Sequence, residues 1–316
     1  MQYRRMGDSG MKISAVSLGS WRNFGTGRVA ADTVRAIMET AYDQGINFFD
    51  IADMYGVGGA EEQMGRVLSQ YPRHTLVIST KLYWPMSDDV NDRGLSRKHV
   101  MESIEKSLRR LGTDYVDIYF CHRPDPETPI RETVMAMQTL IEQGKVLYWG
   151  TSEWQATQIL EAYDLCDRYG WHLPKVEQPE YSMLKREPVE GQILPVTAPR
   201  GIGLVVWSPL AMGMLTGKYD DGIPADSRFG REQKWRQRFV TEANAARVRK
   251  LKPIADELGI TRGQLALAWI LRHKGVSSAI IGATRPEQVV ENAKAAEVTL
   301  SADVVAWMLS EEILAE

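Results

Sequence analysis

The feature that most constrains this 316-residue chain is an alternation of short apolar or β-branched runs with helical patterns, repeated eight times. The strand-like runs fall at 13–18, 46–49, 76–79, 116–120, 146–149, 175–177, 204–207 and 279–281. Helical periodicity follows each of them, at 32–44, 60–69, 97–111, 130–142, 156–169, 189–198, 242–258 and 286–296. Strands separated by crossover helices pair in parallel, and eight such units close most naturally into a (β/α)8 TIM barrel. Two helical patterns, 264–272 and 302–312, exceed the eightfold count and are expected as additions to the barrel. Ahead of the first run, Gly7, Asp8, Ser9 and Gly10 separate two strand-like pieces, which predicts an N-terminal hairpin capping the barrel bottom. Ser96 is placed to open the third helix and Gly112 to end it, as Gly45 ends the first. The whole chain, 1–316, is expected to form one domain.

Composition narrows the class of partner. A net charge of -3 gives no reason to expect nucleic acid or an anionic membrane surface. Two cysteines, Cys121 and Cys166, form neither a disulfide framework nor a zinc motif. With no long apolar run at the N-terminus or later, a cytoplasmic protein acting on a small molecule is expected. The five histidines are scattered and no HExxH occurs, so no metal site is expected.

In a (β/α)8 barrel the reacting groups lie at the carboxyl ends of the strands. Here the second strand closes on Asp50, the third on Lys81 and the fourth on His122. Period-two alternation aims each of them inward beside Phe48, Val77 and Ser79, or Ile118 and Phe120. Any one of these residues alone is more often structural; three on adjacent strands form a constellation. A buried ammonium needs a counter-charge, and Asp50 is placed to supply it to Lys81. A nearby ammonium lowers the pKa of a phenol, so Tyr55 is expected as a proton donor tuned by Lys81. His122 is placed to orient a carbonyl oxygen.

The segments Asp50-Ile51-Ala52-Asp53-Met54-Tyr55-Gly56, Ser79-Thr80-Lys81 and His122-Arg123-Pro124-Asp125 resemble the active-site segments of the aldo-keto reductases. Two more, WSPLAMGMLTGKY at 207–219 and VSSAIIGATRPEQVVENAKA at 276–295, are similar to the cofactor loops of the branch containing potassium-channel β subunits and related bacterial reductases. The resemblance implies a catalytic tetrad of Asp50, Tyr55, Lys81 and His122, with NADPH as cofactor. Members of the channel branch usually carry Asn where this chain has His122, which favours an enzyme over a regulatory subunit. They often carry Arg where this chain has Glu153.

The residues at 282–288 follow the eighth strand and open a helix with Pro286 in its first turn, so free backbone donors there attract an anion. Gln288 and Asn292 share a helix face behind Arg285, a grouping suited to an adenosine 2′-phosphate and adenine, or otherwise to a plain helix cap. The resemblance favours the binding role and adds Gly282 and Thr284. It also implies Trp207 stacked on the nicotinamide, and Ser152 and Gln178 on its carboxamide. Ser208, Leu210, Gly213 and Lys218 would line the pyrophosphate, and Arg228 would approach the 2′-phosphate. Gly213 and Gly217 are expected to admit backbone to the ligand. A weaker pattern, GxGxxA at 25–30, does not directly follow its strand and is expected to be a loop.

Trp21, Met54, Tyr83, Trp84 and Arg123 lie just beyond strand ends and are expected to shape a pocket for a small or aromatic aldehyde or ketone. Arg123 either attracts an anionic group or is neutralised by Asp125. The loop at 234–239 is a lid or a contact surface, and a homo-oligomer stays open. Two other readings compete: a Schiff-base lyase using Lys81, and a non-catalytic nucleotide-sensing subunit.

Overall fold

A computed structural model describes residues 1–310 and contains ten strands. β1 (Tyr3–Arg5) and β2 (Lys12–Ser14) form the antiparallel hairpin. The other eight are β3 (Val16–Gly19), β4 (Phe48–Asp50), β5 (Val77–Leu82), β6 (Val116–Cys121), β7 (Val146–Ser152), β8 (Val176–Gln178), β9 (Gly203–Trp207) and β10 (Val276–Ile281). They close into a parallel barrel in sequence order, with β10 pairing both β3 and β9.

The run at 13–18, expected as one strand, is divided at Ala15: its start belongs to the hairpin and its end to the barrel. A continuous apolar run carries no mark of where the chain turns from one sheet to the other. Met6 and Ile13 of the hairpin join Phe48, Val77, Ile118, Phe120, Val176, Val205 and Ile280 in a buried cluster inside the barrel. The bottom is thereby plugged, and the hairpin docks where a Cβ on Gly7 would meet the Gly201 carbonyl oxygen at 2.0 Å.

Most barrel helices match their punctuation. Ser96 Oγ accepts from His99 N at 3.3 Å to open the helix Arg97–Leu111, and Gly112 ends it at φ 67°. The expected helix at 189–198 is instead three short turns: a π-helical turn Pro188–Ile193, an α-helical turn Leu194–Thr197 and a 3-10 turn Ala198–Arg200. Pro195 and Pro199 lack the N–H groups that would continue an α ladder. The surplus helices are Arg262–Leu271, opened by a Thr261/Gln264 capping box, and Ala302–Ser310. The last residues of the expected 302–312 helix lie outside the described residues. Both cysteines are buried and free. Among the described residues no helix is long and apolar enough to cross a membrane.

Candidate active site

Above the apolar plug the inward alternation of β4, β5 and β6 continues into polar groups. Lys81 is fully buried, and its Nζ donates to Asp50 Oδ2 at 2.7 Å and to the Ile51 carbonyl at 2.6 Å. The other carboxylate oxygen of Asp50 accepts from Ser79 Oγ and from Gln178 Nε2, each at 2.9 Å. Burial pulls the Lys81 ammonium below its usual pKa, and Asp50 opposes that shift. The pair is made from strands in direct register, since Asp50 lies opposite Ser79.

Tyr55 follows on the β4 loop with its ring centroid 5.0 Å from Lys81 Nζ and 5.7 Å, edge-on, from His122. Its pKa is held well above that of an ordinary phenol, by burial first and then by Asp50. That overturns the expected lowering by Lys81. The ammonium is committed to Asp50 and Ile51, and the cation that opposes the rise is Arg123. Tyr55 is therefore fully protonated at neutral pH. His122 is pushed well below its usual range by burial, Lys81 and Arg123, so it is a neutral imidazole; its Nδ1 is buried without a partner among the described residues.

These groups floor a cavity of about 1070 Å³. Asp50, Tyr55 and His122 border it, whereas Lys81 lies beneath its wall. Ser152, Gln178 and Trp207 border it near the strand ends, and Ser208, Leu210, Gly213, Lys218 and Arg228 border it along the segment after β9. Gly282, Thr284, Arg285, Gln288 and Asn292 border it after β10. All the residues expected at a cofactor thus face one space. Several are already engaged: Ser152 Oγ donates to the Gln178 carbonyl at 2.9 Å, and Gln288 Oε1 accepts from Thr284 N at 2.8 Å. Trp207 Nε1 donates to Glu153 Oε1 at 2.9 Å, which also accepts from Glu180 N at 2.6 Å. Glu153, whose backbone takes φ 58°, thereby ties the indole to the Glu180 backbone.

Of the expected substrate residues, Trp21, Met54, Trp84 and Arg123 border the cavity. Tyr83 does not; it stands edge-on to Trp84 at 5.2 Å and packs on the outer core. Gly217 borders the cavity as expected, and packing also requires its bare backbone, because a Cβ there would meet Arg262 Nη2 at 1.7 Å. Its bare backbone seats Arg262, which pairs with Asp220 at 2.7 Å. Arg28 and Ala30 from the GxGxxA stretch border the cavity, although Gly25 is demanded by packing against Ala60 N. Glu232 joins this loop to the segment after β9 through Arg22 and Arg28, each at 2.7 Å. The residues 234–239 lie in the helix Gln233–Phe239, whose Trp235 meets Trp21 edge-on at 5.9 Å beside the cavity. Asn23, Arg28, Met212, Arg231 and Arg262 were not named as site residues from the sequence; Arg28 sat within a visible glycine pattern and Met212 within the segment 207–219, and nothing in the sequence marked the others. No group of three potential metal ligands occurs among the described residues.

The sequence model described as "Aldo/keto reductase family" matches residues 15–310. A protein of Arabidopsis thaliana named "Probable voltage-gated potassium channel subunit beta" is 49% identical over 303 residues, covering 94% of this chain and 92% of its own length. One of Oryza sativa subsp. japonica with the same name is 47% identical over 303 residues, with the same coverage of both chains. A closed eight-stranded barrel, with ionisable groups gathered where its strands end, and a match across nearly the whole chain lead to one conclusion: this protein belongs to the aldo/keto reductase family.

Proposed function

We propose that this protein is an oxidoreductase that reduces aldehydes or ketones to alcohols with NADPH, using Tyr55 as general acid. The observation that carries the reading is the buried Lys81–Asp50 pair beneath a protonated Tyr55 and a neutral His122 at one cavity floor. A bound NADPH supplies the hydride. Tyr55 gives its proton to the carbonyl oxygen, and Arg123 favours the phenolate that remains. His122, a neutral imidazole bordering the cavity, donates a ring N–H to the same oxygen and orients it. Asp50 keeps Lys81 charged where burial would otherwise neutralise it.

The residues present fit the cofactor. Lys218 is shifted below its usual pKa by desolvation, then by Arg228 and Arg285, a clustering of cations suited to a phosphate. Neither Lys218 nor Arg228 forms a salt bridge among the described residues. The helix Pro286–Ala293 opens on Arg285 without a side-chain cap, leaving backbone donors toward the same end. Lys218, Arg228 and Arg285 would hold the 2′-phosphate, Gln288 and Asn292 the adenine, Ser208, Leu210 and Gly213 the pyrophosphate. Trp207, Ser152 and Gln178 would hold the nicotinamide. A cationic cluster at this end favours NADP over NAD.

The Schiff-base reading loses its amine, because Lys81 is fully buried and doubly hydrogen-bonded. A nucleotide-sensing subunit is the second reading, favoured by the names of the two plant relatives. A screen of aldehydes with NADPH consumption as readout separates the two. Turnover with several aldehydes supports the reductase; tight NADPH binding without turnover supports the sensor.

A further inference from the structure

Arg123 follows His122 directly and borders the cavity next to Trp84, whose ring lies 5.8 Å from the guanidinium carbon. Its Nη1 donates to the His122 carbonyl at 2.5 Å and to Ser152 Oγ at 3.4 Å, which fixes the fork in place. Nε and Nη2 have no hydrogen-bond partner among the described residues, and Arg123 forms no salt bridge there. The nearest acid in sequence, Asp125, is engaged elsewhere. Its Oδ2 accepts from Leu95 N and Thr128 Oγ1, both at 2.7 Å, and its Oδ1 accepts from Glu127 N at 3.0 Å. Asp50 is engaged by Lys81, Ser79 and Gln178.

The charges at this end of the cavity therefore do not cancel. Lys81 and Asp50 neutralise each other and His122 is uncharged, which leaves Arg123 with an excess positive charge beside the reacting groups. Of the other acids bordering the cavity, Asp226 acts on Lys218 and Glu291 belongs to the helix after β10, both toward the opposite end. An anchored planar fork with its Nε–Nη2 edge free suits a carboxylate, which that edge can grip bidentately. Trp84 and Trp21 offer flat apolar walls alongside.

We infer that this site selects aldehydes or ketones that carry a carboxylate near the carbonyl, with Arg123 as the residue that holds it; the inference rests on the carbonyl-reducing reading above. The test compares kcat/KM for 2-, 3- and 4-carboxybenzaldehyde with that for benzaldehyde and for the neutral methyl ester of each acid. At least one carboxylate isomer is expected to exceed both neutral partners by about tenfold or more, the worth of one charge-assisted hydrogen bond. In Arg123→Met that ratio falls about tenfold or more, and Arg123→Lys recovers part of it. Taking a ratio cancels any effect of Arg123 on Tyr55 that all substrates share. Benzoate binding, read by tryptophan fluorescence, is expected in the wild type and lost in Arg123→Met. Reduction of all the aldehydes with no carboxylate preference overturns the inference and leaves the reductase reading intact. If no aldehyde consumes NADPH, the reductase reading fails, and benzoate binding alone then decides: retention of binding in Arg123→Met, or no binding at all, overturns the anion site.

Discussion

Gln178 Nε2 donates to Asp50 Oδ1 at 2.9 Å, joining the end of β8 to the end of β4 across the barrel mouth. A residue expected on the nicotinamide carboxamide thus also holds the carboxylate that charges Lys81. The residues at the two strand ends share one hydrogen-bond network, which ties the contact expected of Gln178 to the Lys81–Asp50 pair.

Tyr55→Phe removes the hydroxyl proposed to protonate the carbonyl while keeping the ring. Turnover is expected to fall by about 10² to 10⁴, with NADPH affinity unchanged. Stopped-flow reduction and fluorescence titration measure the two quantities, and undiminished turnover would eliminate Tyr55 as the acid.

Lys81→Met leaves the Asp50 carboxylate buried without its counter-ion. Removing one partner of such a pair costs about 3–5 kcal/mol. Denaturant unfolding should show that loss, and Asp50→Asn added to Lys81→Met should recover much of it, because no charge then lies buried alone. Equal stability of the single and wild-type proteins would mean that the pair is not desolvated as described.

Arg285→Ala is expected to weaken NADPH binding by about tenfold or more, and NADH binding far less, since only NADPH carries the 2′-phosphate. Calorimetric titration with both cofactors reads the difference. Equal losses would remove Arg285 from that contact.

Asp53 and Glu177 are buried carboxyls, each raised to about 8, chiefly by desolvation. The folded protein thus keeps protons on them that the unfolded chain releases near pH 4, and between about 4 and about 8 the native state binds more protons. Stability then declines as pH rises through that window. Asp53→Asn combined with Glu177→Gln is expected to flatten the decline of the melting temperature between about pH 5 and 9. An unchanged slope would show that neither carboxyl titrates in this range.

Much of this architecture is written in local pattern. Eight apolar runs separated by helical periodicity dictate a parallel barrel, because each strand and helix carries its own period and each crossover its own hand. Asp50, Lys81 and His122 were legible because a strand end and a two-residue alternation fix which way they point. The division at Ala15 was not legible, nor was the broken helix after Pro188, since both depend on which distant surface the segment meets.

What tertiary structure alone decided is the electrostatics. Whether Tyr55 is made more or less acidic depends on where the Lys81 protons are directed and on how much water reaches the ring. Whether Arg123 is neutralised depends on Asp125 being drawn to Leu95 and Thr128 instead. Residue types and spacing determine which charges come near one site. The net field there comes from hydrogen bonds and desolvation set by residues far apart in the chain, and local sequence does not encode those.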